Sequence, residues 1–107
     1  MTNPIRFVAE LDGIPANKLS GFFVGWPNPP RDDQFVRLLQ GSSHIVLAVD
    51  DDADGRVVGF ITAISDGVLS AYIPLLEVLP EWQHRGIGSD LVQRMIDQLE
   101  PLYMIDL

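Results

Sequence analysis

The sequence predicts a mixed α/β (α+β) domain with a mostly antiparallel sheet, and three observations carry that prediction. Along the chain the apolar residues change from helical spacing to the alternating or unbroken runs of strands. Two polar turns, Asp50 to Gly55 and Asp66-Gly67, separate three consecutive extended stretches, the layout of an antiparallel meander. A single long amphipathic segment, Ile87 to Leu99, lies between Pro80 and Pro101 and reads as a helix.

Taken in order, Ile5 to Leu11 alternates enough to be a first strand, broken by Asp12-Gly13. Ile14 to Val24 carries Ile14, Leu19, Phe22 and Phe23 and is expected to be a helix. Gly25-Trp26-Pro27-Asn28-Pro29-Pro30 stops it, because prolines lack a donor and restrict their neighbours. A second helix is expected from Pro30 to Gln40. Phe35, Leu38 and Leu39 form its buried stripe, Asp32 and Asp33 suit its positive end, and Gly41 ends it. Ile45 to Val49 then reads as a buried strand and Val57 to Ile64 as its return. Leu69 to Leu79 is a third extended stretch, in which Pro74 marks a sheet edge or a bulge. The helix from Ile87 buries Ile87, Leu91, Val92, Met95, Ile96 and Leu99, and Leu102 to Leu107 is a last strand. A sheet edge left open there is normally covered, charged or paired, so a homodimer through that edge is one expectation.

Composition excludes several classes of function. At 107 residues, 47% apolar and 21% charged, the chain suits one globular domain. The absence of cysteine excludes a disulfide scaffold, a thiolate zinc site and a thiol nucleophile. Seven basic against fifteen acidic residues give a net charge of −8. With Lys18 the one lysine, no basic footprint for nucleic acid or an anionic membrane exists. No apolar run approaches the ~18 residues of a membrane span. The opening MTNPIRFVAE lacks the layout of a signal peptide, so a cytoplasmic location is expected. His44 and His84 do not argue for a metal, and none is expected. Asp50-Asp51-Asp52-Ala53-Asp54-Gly55 fits the opening of a calcium loop, but its twelfth position is Ile61 and strands flank it. It is expected to be a charged hairpin tip.

The chemistry concentrates between Glu77 and Asp90, where a strand, a proline, a glycine-bearing turn and an amphipathic helix follow one another. The first turn of a helix presents unpaired N–H groups at the positive end of its dipole, which suits an anion. Gly86 and Gly88 let a diphosphate approach the backbone, and His84, Arg85 and Ser89 add donors. A plain strand–turn–helix connection with two convenient glycines accounts for the same residues. A Walker loop is excluded because no lysine follows the last glycine, and a Rossmann fingerprint because Leu91 stands at its third glycine.

This stretch resembles the acetyl-CoA signature of the GNAT N-acetyltransferase superfamily, Q/R-x-x-G-x-G/A, matched by Gln83-His84-Arg85-Gly86-Ile87-Gly88. Leu76 to Glu81 matches the strand and proline that precede it there, and the order of elements from residue 5 to 107 follows that family's N-terminal arm. The resemblance implies a GNAT-like fold and N-acetyl transfer from acetyl-CoA to a primary amine of a small molecule or protein, by direct attack. It implies that Leu76, Glu77 and Val78 pair with the pantetheine, that Gln83 to Ser89 wrap the diphosphate, and that an amide near Val78 polarises the thioester carbonyl. Glu77 is the nearest carboxylate and the candidate base, with Tyr72 on the same strand as the second catalytic candidate. Phe22, Phe23 and Trp26, with Pro27 to Pro30, would border the acceptor pocket. Members of the family continue with a further helix and strands, and that helix usually carries the tyrosine that protonates the thiolate. The chain is therefore expected to be a single domain, 1–107, incomplete at its C-terminus, and Tyr103 sits one element too early to match that tyrosine. The alternative is a non-catalytic acyl-CoA-binding or dimerising module.

Overall fold

A computed structural model describes residues 5–99 and 104–106. Strands β1 (Ile5–Val8), β2 (His44–Asp50), β3 (Arg56–Ser65) and β4 (Ser70–Val78) form an antiparallel sheet in chain order, and β5 (Met104–Asp106) joins β4 in parallel. Helices α1 (Asp32–Gly41) and α2 (Ile87–Leu99) complete the regular elements among the described residues.

The unbroken apolar runs of β2 and β3 are explained by burial on both sheet faces, since every residue from Ile45 to Asp50 and from Val57 to Ala63 is buried. Gly59 shows how closely α2 lies on one face. A Cβ there would sit 3.1 Å from Leu91 and 3.4 Å from Ile87. On the other face the Phe60 ring meets those of Phe22, Phe23 and Phe35 at centroid distances of 5.0, 6.0 and 4.8 Å. This aromatic cluster joins α1 and the segment before it to the sheet, mostly by edge-to-face contacts.

The expected helix from Ile14 to Val24 does not form. A single 3-10 turn, Ala16–Lys18, stands in its place. Gly21, Phe23 and Gly25 hold φ of 94°, 65° and 82°, and a residue in the left-handed region cannot continue a right-handed helix. Leu19, Phe22 and Phe23 are nonetheless buried, so the apolar residues marked the core while their period misled. The first strand ends at Val8, short of Leu11. The helix after the proline run starts at Asp32 rather than Pro30, because Arg31 is still extended, its N–H held by the Gln34 side chain at 2.9 Å. Ile87 to Leu99 is helical as expected. Pro74 sits at a bulge: Thr62 pairs with Leu75 and Ile64 with Tyr72, leaving Ile73 and Pro74 opposite Ala63. Pro101, Leu102, Tyr103 and Leu107, named above, lie outside the described residues.

The acidic run is the β2–β3 hairpin tip, with Asp54 and Gly55 left-handed. Its carboxylates are spent on separate partners, Asp51 on Arg6 at 3.0 Å and Asp54 on Lys18 at 2.9 Å, while Asp50 points inward. Each cation holds its aspartate's carboxyl below the usual range, mainly by hydrogen bonding. Among the described residues no group of three or more His, Asp or Glu could hold a metal ion, and no helix is long and apolar enough to cross a membrane.

Candidate functional site

The site grows out of the end of β4. That strand is paired on both sides only at its start, where Ser70, Ala71 and Tyr72 face Met104, Ile105 and Asp106. Past the bulge its outer edge meets no strand among the described residues. The bond from the Leu79 N–H to the Val58 carbonyl, 2.8 Å, fixes which groups face outward. Because successive residues of a strand point their N–H and C=O groups to opposite sides, Leu76 and Val78 turn theirs to the open edge and Glu77 turns its own toward β3. Leu76 and Val78 are two of the residues expected to pair with a strand-like ligand.

Beyond Val78 a 3-10 turn, Pro80–Trp82, leads into the glycine-bearing loop. His84 and Gly86 are left-handed, with φ of 66° and 83°. Left-handed residues interleaved in this way gather backbone N–H groups on one concave side, a nest for an anion. Among the described residues the N–H groups of 84 to 89 donate to no protein acceptor, and the first bond of α2 runs from Asp90 N–H to Gly86 O at 3.1 Å. A cavity of about 330 Å³ opens there, lined by Val78, Trp82, Gln83, His84, Gly86, Ile87, Gly88 and Ser89. Gly86 is required for its φ rather than for space, since a Cβ would touch nothing within 4 Å. At Gly88 a Cβ would stand 3.8 Å from Val78, an ordinary contact beside the same cavity.

The side chains expected around the loop divide. His84 and Ser89 line the cavity. Gln83 lines it too but donates its side-chain amide to the Val78 carbonyl at 2.9 Å, whereas Arg85, outside the lining, folds back to the Glu81 carbonyl at 2.9 Å. Ile87 is buried in the core and offers the site its amide alone.

Two residues that sequence reasoning missed hold the loop in place. The Trp82 indole N–H donates to the buried Asp50 carboxylate at 2.8 Å, and the Arg56 guanidinium lies 5.5 Å from the ring. The entry to the loop is thereby tied to the end of β2. Nothing local signals this pairing, since 32 residues separate the partners and Asp50 reads as part of a solvated turn.

On the Phe60 side of the sheet a second cavity, about 530 Å³, is lined by Phe23, Trp26, Phe60, Leu75, Leu76, Glu77 and Gln83 among others. Gln83 borders both cavities, and the open edge of β4 runs between them. The Glu77 carboxylate accepts the N–H groups of Phe23 at 2.8 Å and Val24 at 3.4 Å. Tyr72 and Glu77 share a sheet face, as the pairings of Tyr72 with Ile64, Leu75 with Thr62 and Glu77 with Phe60 require. Tyr72 does not line the cavity, and half of it is exposed.

Known proteins share this architecture. The family model described as the acetyltransferase (GNAT) family matches residues 5–105. A structure described as a candidate acetyltransferase from Deinococcus radiodurans R1 is 47% identical with a TM-score of 0.92, over 96% of this chain and 71% of that one. A GNAT-family acetyltransferase from Streptococcus pneumoniae TIGR4 is 30% identical with a TM-score of 0.75, over 97% and 74% of the two chains. Among curated relatives, the uncharacterized N-acetyltransferase ycf52 of Pyropia yezoensis is 33% identical over 71% of this chain and 44% of its own length. The chloroplastic GCN5-related N-acetyltransferase 1 of Arabidopsis thaliana is 28% identical over 83% and 45%. The chain thus spans less than half the length of these two curated relatives. With the strand end, the nest and the cleft between them in place, the match over residues 5–105 establishes that the chain belongs to the GNAT acetyltransferase family.

Proposed function

We propose that this domain binds acetyl-CoA and transfers its acetyl group to a primary amine by direct attack. The observation that carries the proposal is the row of N–H groups from His84 to Ser89, which have no protein acceptor among the described residues, at the positive end of α2. The residues fit the co-substrate: the nest suits a diphosphate, and the outward N–H and C=O of Leu76 with the outward N–H of Val78, whose carbonyl already accepts from Gln83, suit the amides of a pantetheine arm laid along β4. Acetyl-CoA supplies the thioester, whose C–S bond would break as the C–N bond forms, so that CoA leaves as its thiolate and takes a proton from solvent. The chain's part is to place it where the second cavity meets the strand edge and to offer an outward N–H to the oxygen that gains charge on attack. An acceptor in that cavity lies against Phe23, Trp26 and Leu75, with the Glu77 carboxylate as its charged wall. That carboxylate attracts an ammonium group and has lone pairs left to take its proton, directly or through water. Tyr72, outside the lining, is given no proton to move.

The metal-free donor set, the cytoplasmic location and pairing of two copies through the outer sheet edge belong to the same proposal. The test is acetyl-CoA turnover over a panel of primary amines, paired with thermal melts in acetyl-CoA. A ligand-dependent rise in melting temperature with acetylated product is the expected result. A rise without product on any amine would favour a non-catalytic acyl-CoA-binding module. No rise at all would remove both readings.

A further inference from the structure

We propose that Glu77 is a positioning residue, the clamp that holds the segment Phe23 to Trp26 against the sheet and so builds one wall of the acceptor cavity. The clamp stands on geometry alone; that the wall belongs to an acceptor site rests on the function proposed above. Glu77 leaves β4 and meets a segment that follows no regular element and lies 54 residues earlier in the chain. Its two oxygens take the N–H groups of two successive residues, Oε1 that of Phe23 at 2.8 Å and Oε2 that of Val24 at 3.4 Å. One carboxylate therefore fixes both the position and the direction of the backbone.

The backbone it fixes is an unfavourable one. Phe23 is bulky and yet left-handed, at φ 65°, a conformation that persists only where its surroundings enforce it. Gly21 and Gly25 are left-handed on either side, so the segment is itself a nest whose anion is an internal carboxylate. What the clamp sets is the aromatic wall. The Phe23 ring stands edge-on to Trp26 at 5.0 Å, and the Trp26 N–H closes the turn onto the Phe23 carbonyl at 3.1 Å. Trp26 is half exposed, and both rings line the cavity beside Glu77. Burial of the Phe23 ring also holds the segment, but burial does not choose the direction of its amides.

Clamping and proton acceptance are separable by substitution. In Glu77→Asp the carboxylate keeps its charge and basicity but is one methylene too short to reach both amides. In Glu77→Gln basicity is lost while Oε1 still accepts the shorter bond. The experiment is amide hydrogen exchange in wild type, Glu77→Asp, Glu77→Gln and Glu77→Ala, with the amides of Leu91 and Met95 as the measure of intact fold, alongside KM for amine and for acetyl-CoA. For Phe23 and Val24 we expect exchange faster by about tenfold or more in the Asp and Ala variants, with Phe23 largely restored in Gln. Amine KM should rise in Asp while acetyl-CoA KM stays within about twofold, a split that general loosening would not give. Unchanged exchange at both amides in Asp and Ala would overturn the clamp. Faster exchange with unchanged amine KM would support the clamp and count against the acceptor reading of that wall.

Discussion

Two stretches of this chain use the same backbone device to opposite ends. In the segment from Gly21 to Gly25, left-handed residues turn amides toward an anion that the protein itself supplies, Glu77. In the loop from His84 to Ser89, left-handed His84 and Gly86 do the same, and among the described residues no side chain accepts from these amides. The difference teaches where an external anion is to be sought. His84, Arg85, Gly86 and Ser89 are exposed, so a nest that the fold does not fill from within keeps its N–H groups open to a ligand or to solvent. The β3–β4 turn offers a third, purely local case, in which the Asp66 carboxylate accepts the N–H groups of Val68, Leu69 and Ser70 at 2.8, 2.8 and 3.2 Å.

The sharpest way to break this comparison is to remove what one nest rests on and spare the other. Phe60 packs against Phe22, Phe23 and Phe35, so Phe60→Ala is expected to cost about 3–5 kcal/mol in denaturant unfolding. Amides of Phe23 and Val24 should open before those around Gly86 as the variant is destabilised. Simultaneous opening would show that the two nests are not separable.

The next effect concerns the open nest. Gly86→Val forces a β-branched residue to a φ of 83°, and acetyl-CoA affinity should fall by about a hundredfold, some 2.7 kcal/mol. Gly88→Val sets its branches beside the cavity, where Val78 is the one neighbour near its Cβ. The apo protein should tolerate it better than the Gly86 variant, yet lose the ligand. Calorimetric titration and apo melting temperatures measure the two separately, and full affinity in both would remove the nest from the site. Trp82→Phe should cost about 1–2 kcal/mol of stability by taking a donor from buried Asp50, and should weaken acetyl-CoA binding without changing exchange at Phe23.

The smallest effect is one of pH. Its backbone hydrogen bonds hold the Asp66 carboxyl below the usual carboxylate range. The folded value is thus the lower one, so this contribution is complete above the ordinary value and is lost as pH falls through the depressed one. Exchange at Val68 and Leu69, corrected for its intrinsic pH dependence, should quicken only in that acid window. Asp66→Asn, which leaves no carboxyl to titrate, should abolish that acid dependence.

These contrasts also explain what the sequence made legible. The hairpin tip, the bulge at Pro74, helix α2 and the glycine loop depend on neighbours a few residues away, so turn chemistry, a proline and apolar periodicity announced them. The segment from Ile14 to Val24 was misread because its conformation is set by Phe60 and Glu77, remote in sequence, which outweigh its helical spacing. Glu77 reads from the sequence as a candidate base and not as an acceptor of backbone amides, and the tie from Trp82 to Asp50 left no local trace. Arg85 was read as a donor from its type alone, while its contact with the Glu81 carbonyl depends on the shape of the turn.

Amide NMR of the labelled domain titrated with acetyl-CoA tests the central claim most directly. The account predicts saturable shifts led by the N–H groups of His84 to Ser89, followed by Leu76 and Val78 along the strand edge, with Phe23 and Val24 moving little. Saturable shifts that leave residues 84–89 untouched, or no shifts at acetyl-CoA concentrations well above those in which related enzymes work, would contradict it.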